Sequence, residues 1–206
     1  MFEVIKVFVG PLISIVEKVT PGLHEKWVGQ PIRYGDTIRL KHVNTDHALH
    51  SHGINYTHPR SSAQQQVTAY SGHDSNDYWL IKGQHGLPTD KKSGQPIKHR
   101  DVIRLEHVAT KRNLHSHSDA PSPLTSQQEV TAFGDKGEGD ANDNWQVEVE
   151  GKGIWYEKKR IRLIHLDTRH ALHSHAGHSH PQFTAGQQEV TCYEGRDSND
   201  YWVIGP

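Results

Sequence analysis

The stretch IRLKHVNTDHALHSH at residues 38–52 decides the fold, because it returns twice without a gap: IRLEHVATKRNLHSH at 103–117 and IRLIHLDTRHALHSH at 161–175. Its internal period is two. Ile38 and Leu40 alternate with Arg39 and Lys41, as a strand with one buried face requires. Leu49-His50-Ser51-His52 reads as a second short strand, with Leu49 and Ser51 on one face and both histidines on the other. Outward from this stretch, each copy runs through QQQVTAY (64–70), QQEVTAF (127–133) or QQEVTCY (187–193), a third strand. Each closes on D-x-N-D-x-W at 74–79, 140–145 or 197–202, an Asx turn leading into a fourth strand that starts at the tryptophan. The motif leucine and that tryptophan are 30, 31 and 30 residues apart, so insertions fall between copies and each copy is one supersecondary unit.

Three units of four short strands give about twelve strands. One unit cannot bury its apolar face alone. Three around a pseudo-threefold axis can, each contributing an Ile, two Leu, a Val and a Trp to one core. The expected fold is therefore all-β, a β-trefoil: a closed barrel capped at one end by hairpins, with few open edges. A propeller is a poorer fit, since propellers start at about four blades. The expected organisation is an N-terminal extension at 1–31, with a short helix from Pro11 through Val19, followed by the trefoil at 32–206. Its repeats lie at about 32–90, 91–152 and 153–206.

Composition narrows the function. The chain has 206 residues, with 23 Lys+Arg against 24 Asp+Glu and 18 histidines. Formal charge is −1 with histidine neutral and −1 + 18 = +17 with every histidine protonated. Near neutrality there is no broad basic surface, so nucleic acid is not the expected partner. The longest uncharged apolar stretch, at 7–16, falls short of the roughly 20 residues of a transmembrane helix, and no span is expected. As a signal peptide the first segment is weak: Glu3 offsets Lys6, and Gly10-Pro11 interrupts the apolar run. Cys192 has no second cysteine to pair with, and it takes the core-facing place of Ala69 and Ala132.

The threefold combination of L-H-S-H, Q-Q-x-V-T and D-x-N-x-x-W resembles the MIR family, named for protein mannosyltransferases, inositol trisphosphate receptors and ryanodine receptors. Within it, HVATKRNLHSH with SPL, QEVTAFG and GEGD in the second repeat is similar to the stromal cell-derived factor 2 group. QQQVTAYSGHDSNDYW in the first is similar to the MIR domain of protein O-mannosyltransferases. The resemblance implies a non-catalytic module of the endoplasmic-reticulum lumen or secretory pathway. It also implies Hsp40- and Hsp70-type chaperone partners, glycosylated or misfolded clients, and recognition of a glycan. The chain ends in Trp-Val-Ile-Gly-Pro rather than a KDEL-like tail.

No enzyme is expected: there is no G-x-S-x-G elbow, and nothing singles out a carboxylate pair. The pairs His50/His52, His115/His117 and His173/His175 invite a metal reading. A closed site needs third and fourth ligands on a neighbouring strand, and none is expected to recur at fixed spacing, so neither metal nor cofactor is expected. Asp140, Asn142 and Asn144 match the opening of a calcium loop but lack its glycine and its twelfth ligand. His42, His107 and His165 continue the inward phase of Ile-x-Leu-x-His and are expected to be buried, with ring nitrogens on backbone. The candidate contact surfaces are the loops after L-H-S-H, where the repeats differ, at 53–60, 118–125 and 176–185. There Tyr56, His58, His178, His180 and Phe183 are expected to supply rings for a sugar face or a peptide, beside the six L-H-S-H histidines. Asn55-Tyr56-Thr57 is an N-glycosylation acceptor.

Overall fold

A computed structural model describes residues 29–88, 92–180 and 186–206. The helix expected from Pro11 to Val19 lies outside them, as does Phe183. The thirteen strands are β1 Thr37–Ile38, β2 Leu40–His42, β3 Ala48–Asn55, β4 Gln65–Tyr70, β5 Trp79–Gly83, β6 Val102–His107, β7 Arg112–Pro121, β8 Gln128–Phe133, β9 Trp145–Val149, β10 Ile161–His165, β11 Ala171–Ser179, β12 Gln188–Tyr193 and β13 Trp202–Ile204. The count exceeds twelve because the first strand of repeat one breaks at Arg39 into β1 and β2.

The first and fourth strands of the repeats close a ring. β1 pairs with β5, β5 with β6, β6 with β9, β9 with β10, β10 with β13, and β13 returns to β2, all antiparallel. The second and third strands form the hairpins β3–β4, β7–β8 and β11–β12, and β4, β8 and β12 pair with one another to make the cap. The trefoil is thus present, and the alternation of Ile-x-Leu has its expected result: Ile38, Leu40, Leu49, Val67 and Trp79, with their counterparts in the other repeats, form the core.

The hairpins are longer than L-H-S-H. Each resumes pairing beyond a register shift, at Asn55↔Gln65, Pro121↔Gln128 and Ser179↔Gln188, so much of the segment read as loop is strand. At the opposite end of the barrel, Ile32 N donates to Trp155 O, Ile97 N to Ile32 O, and Trp155 N to Ile97 O, each at 2.9 Å. This backbone triangle, whose three side chains are buried, is an element the repeat motif did not reveal.

His42, His107 and His165 tie neighbouring repeats together. Their Nε2 atoms lie 2.9, 2.9 and 3.0 Å from the carbonyl oxygens of Asn199, Asn76 and Asn142 in the preceding turn. Their Nδ1 atoms meet Thr45, Thr110 and Thr168 hydroxyls. The expectation of backbone bonding holds for one nitrogen of each ring; a threonine takes the other.

Candidate functional site

The L-H-S-H strand is anchored on three sides. Trp79, Trp145 and Trp202 donate Nε1 to the carbonyls of Leu49, Leu114 and Leu172. Ser51, Ser116 and Ser174 donate to the carbonyls of Gln66, Glu129 and Glu189 on the paired strand. The first histidine then meets the last aspartate of D-x-N-D: His50 Nδ1 to Asp77 Oδ1, His115 to Asp143 and His173 to Asp200, each 2.9 Å. The short 3-10 turns Ser75–Asp77, Ala141–Asp143 and Ser198–Asp200 supply these carboxylates through capping boxes, in which Asp74, Asp140 and Asp197 accept from the backbone two residues on.

These turns roof the outer face of the hairpin, so His50, His115 and His173 are 2, 2 and 3% exposed, against the expectation that both histidines of the motif would present themselves alike. Tyr70, Phe133 and Tyr193 pack on them at 5.0, 4.7 and 4.8 Å between ring centroids. Burial works to raise the Asp77 carboxyl, but the bonds from His50 and the Asp74 amide and the charge of Arg39 outweigh it and hold its pKa below the usual value. The second histidines, His52, His117 and His175, are half-buried and stand edge-on to the first.

A histidine and two aspartates thus recur at fixed spacing, contrary to the expectation that no further ligands would: His50/Asp74/Asp77, His115/Asp140/Asp143 and His173/Asp197/Asp200, with ligand atoms within 4.8 Å of one another. Their donors are already committed. Asp77 Oδ1 takes His50, its Oδ2 takes the Asp74 amide and Arg39, and Asp74 Oδ1 takes the Asn76 amide. A cation held by these same atoms would displace the proton between His50 Nδ1 and Asp77 Oδ1. The stretch from Asp140 to Asn142, which matches the opening of a calcium loop, belongs to the capping box of the second repeat.

The rings expected in the loops divide. Tyr56 is 3% exposed, with its hydroxyl on the Val67 carbonyl, and offers no face to a ligand. It is buried because pairing resumes at Asn55, which turns the next side chain inward. His180 packs on Tyr56 at 6.2 Å, and burial, opposed by the charge of Glu189, keeps its pKa below the ordinary value. His58 and His178 are half-buried at the surface, His178 edge-on to His175 at 4.4 Å. Asn55 is exposed at the end of β3.

The residues that hold these hairpin ends were not singled out from the sequence. Glu129 accepts from Ser62 N and Oγ, and Glu189 from the amides of Leu124 and Thr125 and the Thr125 hydroxyl, each reaching into the preceding repeat's loop. Burial raises the Glu129 pKa against the bonds from Ser62. The signal was a glutamate inside an otherwise uncharged strand, QQEVTA in the second repeat and QQEVTC in the third.

Three like units, closing a barrel with their outer strands and a cap with their inner hairpins, define a β-trefoil whose polar motif residues brace the scaffold. The chain belongs to the MIR domain family, whose model matches residues 15–77 and 55–204. It is 40% identical to a stromal cell-derived factor 2-like protein of Arabidopsis thaliana over 85% of this chain and 78% of that one. With human stromal cell-derived factor 2 it shares 39% identity over 82% of this chain and 77% of that one. Protein O-mannosyl-transferase 2 of Drosophila melanogaster is 37% identical over 88% of this chain but only 24% of its own length. Among solved structures, the SDF2-like protein of Arabidopsis thaliana superposes with a TM-score of 0.79 at 37% identity, covering 85% of this chain and 95% of that one. The designed threefold-symmetric protein ThreeFoil, 16% identical with a TM-score of 0.50 over 82% of this chain and 98% of that one, shares the fold alone. Among the described residues, no helix is long and apolar enough to cross a membrane.

Proposed function

We propose that the chain is a non-catalytic binding module of endoplasmic-reticulum protein quality control, acting as stromal cell-derived factor 2 is expected to act. It would engage Hsp40- and Hsp70-type chaperones and glycosylated or misfolded clients. The observation that carries this reading is that the similarity runs along most of the length of the SDF2-like relatives. The hairpin ends, where the repeats differ, are the proposed contact surface. His52, His58, His117, His175 and His178 supply half-exposed rings there, while His50, His115 and His173 set the strands that carry them. Affinity purification of the tagged full chain from its native organism tests the proposal. Co-purification of an Hsp40-type protein with a lumenal Hsp70 is expected, and recovery of neither, under conditions that retain other chaperone complexes, overturns it.

A second reading is a carbohydrate- or substrate-recognition module of a protein O-mannosyltransferase. It is favoured by superposition on the S. cerevisiae O-mannosyltransferase complex, with a TM-score of 0.75 at 32% identity over 87% of this chain and 26% of that one. Membrane-spanning segments encoded in the same gene, together with glycan binding by the isolated chain, would decide for it. Asn55 is accessible for glycosylation if the chain enters the secretory pathway; an endoglycosidase-sensitive mass shift, lost in Asn55→Gln, is the corresponding test.

A further inference from the structure

The arginine of the I-R-L motif occupies equivalent places in the three repeats, but in the second its terminal nitrogens have no hydrogen-bond or ion-pair partner among the described residues. Arg39 binds Asp77 Oδ2 at 2.8 Å through a terminal nitrogen, donates to the Pro206 carbonyl through the other, and lies 5.6 Å from the Tyr78 ring. Arg162 pairs with Asp200 at 3.6 Å, donates to the Asp197 carbonyl and stacks on Tyr201 at 4.0 Å. Three changes remove this arrangement from repeat two. Asn113 stands where the others have Ala48 and Ala171, and its Nδ2 takes Asp143 Oδ2 at 2.9 Å. Asn144 replaces the stacking tyrosine, and its Oδ1 holds the His85 amide instead. A glycine-rich segment at 134–139 replaces the short turn, pinned by Asn113 through the carbonyls of Gly137 and Glu138.

Arg104 is consequently turned over. Its Nε donates to the Gly83 carbonyl at 2.9 Å, whereas Nε of Arg39 and of Arg162 makes no hydrogen bond among the described residues. Its two terminal nitrogens have no hydrogen-bond or ion-pair partner among the described residues. Yet Arg104 is only 5% exposed, and it lines a cavity of about 350 Å³ with Lys82, His85, Lys136, Gly137 and Glu138. A buried guanidinium with an unused terminal edge presents two parallel donors, which a planar oxyanion accepts in bidentate fashion. The charge around it is modest: Arg104, Lys82, Lys136 and Lys111 face Glu138, Glu106 and the buried Asp143, which attracts Arg104 from beyond ion-pair distance, and Glu106 is paired with Lys82 at 3.0 Å and with Lys111 at 3.4 Å. One positive charge is left over. That balance suits a monoanion better than a phosphate dianion.

We propose that the second repeat carries a carboxylate-binding site centred on Arg104, taking a chain-terminal or glutamate carboxylate of a polypeptide. Gly137 is part of its construction: at φ +76° it is in the left-handed region, and a Cβ there would overlap Glu106 and crowd Lys82 Nζ. The first and third repeats, with their arginines tied, have no such site, so the expected stoichiometry is one per chain.

The experiment is a titration of the full chain followed by nuclear magnetic resonance of arginine Nε–H and backbone amides. The probes are N-acetylglycine for a chain terminus, the α-amide of N-acetylglutamate for a side chain, neutral N-acetylglycinamide, and inorganic phosphate. At least one carboxylate probe is expected to give saturable shifts at Arg104 Nε, Lys136 and Gly137, with the neutral amide giving none. Which carboxylate binds more tightly identifies the source. Arg104→Gln should weaken binding at least tenfold. The double variant Asn113→Ala with Asn144→Tyr, which restores the pattern of the other repeats, should do the same while its remaining amide spectrum stays folded. Absence of saturable shifts with either carboxylate, undiminished binding in both variants, or preference for phosphate overturns the assignment.

Discussion

His42, His107 and His165 show how one side chain can carry both a junction and a pH dependence. Because Nε2 faces a carbonyl oxygen, it must donate, and Nδ1 must then accept from the threonine hydroxyl. A second proton on Nδ1 would reverse that bond, leaving the hydroxyl proton to find another acceptor, and would place a charge inside the protein. Burial, only partly offset by the Asn199 carbonyl, lowers the His42 pKa to about 4, and His107 and His165 are lowered by the same cause. The unfolded chain takes up these protons near pH 6.5 and the folded chain only at lower pH. Stability is therefore fully present above pH 6.5 and is lost as pH falls toward the folded pKa. For His42 the loss between pH 6.5 and 5 is about 2 kcal/mol, at about 1.4 kcal/mol per unit. Urea unfolding across this range should give a steep slope for the parent and a shallower one for His42→Gln; parallel slopes would refute the account. The pH-dependent charge implied by 18 histidines is thus withheld at these three until acid begins to unfold the molecule.

At the scale of the element, the D-x-N-D turn does two jobs, because its last carboxylate both closes the capping box and receives the L-H-S-H histidine. Asp200→Ala removes the Asp197 amide's partner and leaves His173 Nδ1 unpaired in the interior. A loss of about 2–4 kcal/mol is expected by chemical denaturation. Gly134 stands at φ +85°, and a Cβ there would overlap the Glu138 carbonyl. Gly134→Ala should cost about 1–3 kcal/mol, read as a lower midpoint of thermal unfolding. Strand periodicity and the repeat made the barrel, the hairpins and the core residues Ile38, Leu49 and Trp79 legible. The partner of His50 was less so. Asp77 lies 27 residues away in a motif whose pattern spells turn chemistry, which it performs; the packing of turn on hairpin gives it a second role. Tyr56 was misplaced because composition marks a loop but not where strand pairing resumes after a bulge. The state of Arg104 depends on what Asn113 and Asn144 do to a neighbour, which no single repeat read alone could reveal.

For the whole molecule, three cyclic sets of bonds lie at different levels of the trefoil, and each runs from every repeat to the next. The backbone triangle of Ile32, Ile97 and Trp155 closes one end. The histidines bind the preceding repeat's turn at the barrel wall. In the cap, Thr68 donates to Gln187, Thr131 to Gln64 and Thr191 to Gln127. No repeat can detach without opening two junctions at every level, and its own apolar face would then be exposed. The expected behaviour is one all-or-none transition, unlike a linear repeat array in which ends can fray. Intrinsic fluorescence of the buried Trp79, Trp145, Trp155 and Trp202 and far-ultraviolet circular dichroism should therefore give coincident denaturant curves. Because the cap bonds are equivalent by symmetry, Thr68→Val, Thr131→Val and Thr191→Val should each cost about 1 kcal/mol and shift both signals together. A variant that separated the two curves would mean that one repeat unfolds before the others, and the ring would then not be the unit of stability.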